Sequence, residues 1–191
     1  MKKDTRQVQS ENAIIEASIR TLLVNPSAGM SEIATAAGVG RATLYRHVES
    51  RQALIEKLVL VCMEEMDAAT APLAHLTGGA ALEARIDATM PLADRFHFLA
   101  ELWTIAADSE AITQIDNKLD DELAVLVEQA KRAGQINTDL PTPWVVSFYA
   151  STLMAAWWLI ASGDVEIDEA LIYTKQSFFS GCAKNPGKNR P

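Results

Sequence analysis

The sequence contains few of the residues that build disulfide frameworks, metal centres and irregular loops. Its two cysteines, Cys62 and Cys182, lie far apart in 191 residues, and neither has a second Cys or a His at metal-ligand spacing. The N-terminus lacks the pattern of a signal peptide. We therefore expect a reduced, cytoplasmic protein without a metal or a cofactor. Seven prolines and nine glycines are few for this length, which favours long helices over loops.

The spacing patterns of the common catalytic sites are also missing. The sequence shows no pair of nucleophile and base, no glycine-rich phosphate loop and no cluster of metal ligands. A non-enzymatic function is therefore expected. A helical enzyme with no recognisable catalytic motif is the weaker alternative.

Charge is distributed unevenly along the chain, whose formal net charge is -8. Residues 1–60 hold 8 Lys and Arg against 6 Asp and Glu, whereas residues 61–191 hold 9 against 19. The first part is thus net +2 and the second net -10. Because an acidic surface repels polyanions, contact with nucleic acid is expected only from the N-terminal part.

Apolar periodicity predicts three helices before residue 50. The first runs over 11–24 with Ser10 as its N-cap, and the second runs over about 31–37, ahead of Gly38 in a left-handed turn. A third helix over about 40–48 follows that turn directly. Two helices joined by a short glycine-containing turn are typical of a helix-turn-helix, whose second helix enters the major groove of DNA.

The third helix has an apolar side and a polar side. At about 100° per residue, Leu44 and Val48 point inward and the other side chains point outward or lie at the seams. Arg41 lies in the first turn, where a recognition helix meets base edges, and its guanidinium matches the two acceptors of guanine. Four further residues carry donors suited to phosphate oxygens and are expected to hold the DNA backbone: Thr43, Tyr45, His47 and Arg51.

The segment SEIATAAGVGRATLYRHVESRQALIEKL, with IIEASIRTLL before it, resembles the N-terminal domain of the tetracycline-repressor-like (TetR) family of transcriptional regulators. The resemblance rests on Ile33-Ala34, the turn at 37–39, Thr43-Leu44-Tyr45, His47, and the basic residue followed by Ala-Leu at 51, 53 and 54. Two positions differ. Val48 stands where the family usually has phenylalanine, and Met30 stands where a threonine often opens the second helix, so Ser27 or Ser31 is expected to supply the capping oxygen.

The resemblance implies an all-α fold of about nine helices. It divides the chain into a three-helix helix-turn-helix domain over 8–58, a helical effector-binding and dimerisation domain over 59–183, and a tail over 184–191 whose composition predicts disorder. It also implies that Arg41 and Ala42 lie against bases. The residues expected at the DNA are Ser31, Arg41, Ala42, Thr43, Tyr45, Arg46, His47 and Arg51.

In the second domain we expect a loop around Thr77-Gly78-Gly79, followed by helices over 80–89, 92–107 and 110–133. Members of the family bind effectors in an apolar cavity between these helices, and the mostly apolar and aromatic residues here predict a hydrophobic or aromatic effector. Core packing is the alternative role for the aromatic residues. The candidate effector contacts are Met90, Phe96, Leu99, Trp103, Leu123 and Phe148.

A helix over 143–162, with Thr142 as its N-cap, contains no charged residue. A bilayer takes ~20 apolar residues to cross, so a membrane-anchored DNA-binding protein is one interpretation. Against it, small side chains recur at Ser147, Ser151 and Ala155, and no cluster of Lys or Arg flanks the segment. The resemblance implies instead a homodimer through this helix and the last one, over about 168–182.

These expectations together describe a ligand-responsive repressor. A twofold dimer presents two recognition helices to an inverted-repeat operator in double-stranded DNA, and a small effector releases it.

Overall fold

The described part of the chain is built from helices, as expected for an all-α protein. The computed structural model describes residues 5–95, Phe98 and residues 110–183, and no strand occurs among them. The expected contacts Phe96, Leu99 and Trp103 and the tail over 184–191 lie outside the described residues. Eight α-helices are described, which we number in chain order: α1 (Thr5–Val24), α2 (Met30–Ala36), α3 (Arg41–His47), α4 (Arg51–Thr70), α5 (Gly78–Thr89), α6 (Glu110–Arg132), α7 (Thr142–Ser162) and α8 (Ile167–Cys182).

The helices fall into two compact units. One contains residues 1–64 and 97–113, and the other contains residues 65–96 and 114–191. Helix α4 belongs to the first unit up to Glu64 and to the second from Glu65 onward.

In the first unit, α1 packs on α2 and α2 packs on α3. The core is aliphatic, and each helix contributes fully buried side chains, among them Leu22, Ile33, Leu44 and Leu58. An ion pair of 2.7 Å between Lys57 Nζ and Glu11 Oε1 joins α4 to α1. Burial of aliphatic side chains therefore determines where α3 lies, and the ion pair between α4 and α1 lies at the edge of this core.

Helix α1 begins at Thr5, so the prediction of a start at residue 11 with Ser10 as the cap is wrong. Ser10 lies inside the helix. The added residues carry no apolar periodicity, but Arg and Gln are good helix formers, and they extend a helix that the buried residues further on have already fixed.

In the second unit, the two glycines expected in a loop form the first turn of α5. Gly78 has a φ of +57° and donates its backbone N–H to Gln129 Oε1 at 3.0 Å, while Gly79 donates to Gln135 Oε1, also at 3.0 Å. A Cβ on Gly78 would lie 3.2 Å from the backbone nitrogen of Ala130. Glutamine side chains distant in sequence thus satisfy the free N–H groups of this helix start, and glycine permits their close approach.

Thr142 does not cap α7, contrary to expectation. The N-cap residue is Pro141, and the Thr142 hydroxyl donates to the Glu128 carboxylate and accepts a 2.6 Å hydrogen bond from Lys131 Nζ. The hydrogen bonds from Thr142 and then Lys131 lower the pKa of Glu128. This polar cluster fastens the start of α7 to the last turns of α6.

Helix α7 has two distinct long faces. Val145, Tyr149, Leu153 and other residues in register with them are buried, whereas the opposite face is exposed and uncharged. Length and composition alone would allow α7 to cross a membrane, and it is the one such helix in the described ranges. A core helix of a soluble protein passes the same test, so this finding does not decide between the two interpretations.

Candidate DNA-binding surface

The turn between α2 and α3 has the geometry of a helix-turn-helix. Helix α2 ends at Ala36, and Gly38 follows with a φ of +66°, a conformation that L side chains rarely adopt. The N–H of Val39 donates to Ala34 O at 3.0 Å and closes the end of α2. Gly40 is the N-cap of α3, and its carbonyl accepts from the N–H groups of Thr43 and Leu44. The recognition helix thus begins where the sequence predicted it.

The inward and outward sides of α3 also agree with the prediction. Leu44 is wholly buried, and Val48 is buried just after the helix, where the backbone becomes extended. Valine therefore closes this part of the core despite its smaller volume. The outward positions are Arg41, Ala42, Tyr45 and Arg46, which are exposed, and Thr43 and His47, which are half-buried.

Two pairs of neighbouring side chains on α3 contact each other. The guanidinium carbon of Arg41 lies over the ring of Tyr45, 5.4 Å from its centroid, one helical turn away. Arg46 Nη2 donates to Thr43 Oγ1 at 3.0 Å. The outward side of α3 therefore presents two arginines, each oriented by a partner on the same helix.

Arg51 takes part in the fold of the first unit as well as being a candidate for DNA contact. Its Nε donates to Ala28 O at 3.0 Å, and its Nη2 donates to Pro26 O. Two of its five N–H donors are thus engaged in holding the loop before α2 against the start of α4. Sequence reasoning missed this contact because it joins residues 23 and 25 positions apart.

The expected cap of α2 is absent, because neither Ser27 nor Ser31 caps it. The N-cap is Gly29, which has no side chain, and Met30 is buried at the first helical position. Ser27 donates instead to Asn25 Oδ1 at 2.7 Å within the loop. Ser31 is exposed, with its carbonyl accepting from Thr35 Oγ1.

The helix-turn-helix segment and the chain as a whole are similar to known transcription regulators. Residues 26–58 match the family model described as "Bacterial regulatory proteins, tetR family". The chain is also 28% identical over 152 residues, 78% of each chain, to the HTH-type transcriptional repressor LfrR of Mycolicibacterium smegmatis. The matched segment contains α2, the turn, α3 and the start of α4.

Residues 26–58 therefore form a TetR-family segment.

Solved structures show the same fold over nearly the whole chain. The TetR-like regulator LfrR from Mycobacterium smegmatis, in complex with proflavine, superposes with a TM-score of 0.75 at 21% identity and covers 94% of this chain and 99% of its own. The ketosteroid transcriptional regulator KstR2 of Mycobacterium tuberculosis gives 0.77 at 14% identity, with 96% and 98% covered. The matched family model describes regulatory proteins, and these relatives are transcription regulators rather than enzymes, which agrees with the expected non-enzymatic function.

Three of the expected effector contacts lie in the described second unit. Met90 is wholly buried in a 3-10 turn over Met90–Leu92, and Leu123 is half-buried on α6. Phe148 is half-buried on α7 and stacks on Phe178 of α8 with ring centroids 6.1 Å apart. Phe148 thus packs between α7 and α8, which is the role of a core residue.

Tyr149, which the sequence did not single out, completes this aromatic cluster. Tyr149 meets Phe178 edge to face at 5.1 Å, and its hydroxyl donates to Leu82 O at 3.0 Å. Burial raises the pKa of Tyr149, so the hydroxyl remains a donor. A Cβ on Gly181 would lie 2.9 Å from Phe148, which shows how closely α8 approaches α7. An apolar run such as α7 contains no signal that marks which aromatic finds a distant polar partner.

Helices α7 and α8 present a second notable surface of the second unit. Several large apolar side chains are exposed on them, and the small residues Ser147, Ser151 and Ala155 lie exposed on the same face of α7. The exposed fractions are 63% for Trp144, 42% for Met154, 51% for Trp158, 62% for Ile172 and 55% for Tyr173. Exposed apolar surface of this kind is typical of a site where another protein packs.

Proposed function

We propose that this chain is a cytoplasmic repressor of the TetR family that binds an inverted-repeat operator as a homodimer and leaves it when a small hydrophobic or aromatic molecule binds. In this proposal, residues 8–58 bind DNA, and residues 59–183 bind the effector and form the dimer. The observation that carries it is the outward side of α3, where Arg41 projects from the first turn of a helix-turn-helix.

Arg41 is the residue to which we assign base reading. Arg46 donates to Thr43 and Arg51 donates to two carbonyls, whereas within the described residues Arg41 contacts an aromatic ring and no hydrogen-bond acceptor. Its N–H donors are therefore free to meet the acceptors of a guanine. We assign base contact also to Ala42, and backbone contact to the remaining positions: Ser31, Thr43, Tyr45, Arg46, His47 and Arg51.

The operator is the first element to test. Selection from a pool of random double-stranded DNA is expected to yield a palindrome with half-sites about 10 base pairs apart, because a twofold dimer places two recognition helices one DNA turn apart. Arg41→Ala should cost about 1–3 kcal/mol and relax the preference at one symmetric position of that palindrome, measured by competition at fixed salt. Ser31→Ala is the matched control, since loss of a backbone contact weakens all sequences alike. Failure to select any site contradicts the proposal.

The dimer is proposed through α7 and α8. A second copy of the chain suits the exposed face of α7 because this face has no charge and carries both large and small side chains. It adjoins α8, where Tyr173 lines one groove with Ala155 and Leu159, and Ile172 of α8 is also exposed. The rival occupant of that face is a bilayer. Recovery of the full chain in the membrane pellet rather than in the soluble fraction would favour the rival.

The effector is proposed from the nature of the relatives. LfrR is a repressor, and its solved structure contains proflavine. Proflavine is therefore the first probe, with a panel of neutral aromatic and aliphatic compounds beside it. We expect one of these to lower affinity for the selected operator by about 5- to 150-fold, the usual range of coupling between two sites.

A control is needed because a flat aromatic cation also binds DNA directly. The compound that releases the protein should also raise the melting temperature of the protein without DNA, since a ligand of the native state stabilises it. If no compound in the panel lowers the affinity for the operator or raises the melting temperature of the protein, the proposed class of effector is wrong.

A further inference from the structure

The ring of Tyr45 and the guanidinium of Arg41 form a pair on the outward side of α3. They are four positions apart, which places them one turn apart on the same face of a helix. The Arg41 Cζ lies 5.4 Å from the ring centroid, and 40% of Tyr45 is exposed. Both side chains therefore project into solvent where the helix meets its target, and each limits the motion of the other.

This contact differs in kind from those of the neighbouring arginines. Arg46 and Arg51 each give N–H donors to protein oxygen atoms. A cation–π contact engages the charge of the guanidinium without using its N–H groups in a hydrogen bond, so it orients Arg41 while those donors stay available. A side chain that is already oriented loses less rotamer entropy when it binds a base.

We infer that Tyr45 is a positioning residue for base recognition: its ring orients Arg41, while its hydroxyl makes the phosphate contact proposed above. The inference rests on the proposed function. It separates two roles within one side chain, and it predicts that the ring affects sequence preference although it touches no base.

The experiment removes the hydroxyl and the ring separately. Tyr45→Phe keeps the ring, whereas Tyr45→Leu and Tyr45→Gln remove it. The wild-type operator is first selected from random double-stranded DNA, and each variant is then measured on that operator and on versions with one base pair replaced, at one salt concentration. Arg41→Ala and the double variant Arg41→Ala/Tyr45→Leu complete a cycle, and the melting temperature of each variant confirms that it is folded.

The ring is expected to contribute about two- to fivefold to preference, the range for an exposed cation–π pair. Tyr45→Leu and Tyr45→Gln should lower the preference by that factor at the position where Arg41→Ala abolishes it. Tyr45→Phe should retain the preference while binding all sequences more weakly. In the Arg41→Ala background, Tyr45→Leu should have no further effect on preference.

Three results would overturn the inference. The first is that Tyr45→Leu weakens binding to every sequence equally, so that preference does not depend on the ring. The second is that Tyr45→Phe and Tyr45→Leu lower preference alike, and the third is that the effects of Arg41→Ala and Tyr45→Leu on preference add. In each case the selected operator stands and only the role of the ring is wrong. If the wild type selects no operator at all, the proposed function itself is wrong.

Discussion

Ile172→Glu is expected to convert the protein from a dimer into a folded monomer and to weaken operator binding by about 10²- to 10⁴-fold, the usual gain from joining two binding modules. Ile172 lies on α8 with 62% of its surface exposed, so a glutamate there costs the single chain little. In the proposed dimer the same glutamate would be buried without a partner, together with its copy across the twofold axis.

Two measurements separate dimer loss from unfolding. Light scattering or sedimentation gives the mass of the particle, and the melting curve reports whether the monomer is folded. Met154→Glu, on the exposed face of α7, should act in the same way. Val125→Glu is the matched control, since Val125 is an aliphatic residue on α6 that is 55% exposed and lies outside the proposed interface. A dimer that survives both Ile172→Glu and Met154→Glu would contradict the proposed interface.

Leu44→Ala is expected to lower the free energy of unfolding of the first unit by about 2–5 kcal/mol, the range for removing a buried leucine side chain. Leu44 is wholly buried, and it is the buried residue within α3 itself. Since α3 has only seven residues, it is not stable as an isolated helix and depends on this packing. DNA binding should therefore be lost together with stability.

Hydrogen exchange of the α3 amides and thermal melting would measure this effect. Val24→Ala is the matched control, because Val24 ends α1 in the same unit but is 89% exposed. The control should change the free energy of unfolding by less than about 0.5 kcal/mol. Equal effects of the two substitutions would mean that α3 is not held by Leu44.

The DNA-binding part of the fold could be predicted well because its signals are local. Glycine at 38 and 40 marks the turn, and the spacing of Leu44 and Val48 orients α3, so the outward residues follow from the helical repeat alone. The Arg41 and Tyr45 contact is also within reach of the sequence, since residues four apart on a helix are neighbours.

The features that the sequence did not predict depend on contacts between distant residues. The sequence predicts Thr142 as an N-cap, but its hydroxyl binds Glu128 and Lys131 on another helix. It predicts a loop at Gly78 and Gly79, yet glutamines more than 50 positions away allow a helix to begin there. In such cases the local preference for a cap or a loop is weaker than a hydrogen bond to a polar side chain that only the folded chain brings close.

The residues that contact an effector are harder still to predict from the sequence. An apolar residue that lines a cavity and one that fills a core have the same chemistry, and Phe148 illustrates this by stacking on Phe178. Sequence periodicity identifies the inward side of a helix, but it does not indicate whether space remains there for a ligand.

The uncharged outer face of α7 has a consequence for the life of the protein in the cell. If the proposed dimer covers this face, a folded chain that has not yet paired exposes Trp144, Met154 and Trp158 to solvent. Exposed apolar surface favours aggregation and degradation, so we expect the chain to persist only when its concentration is high enough for it to pair. Because pairing depends on concentration, such a protein is expected to accumulate only above a minimum concentration of chains.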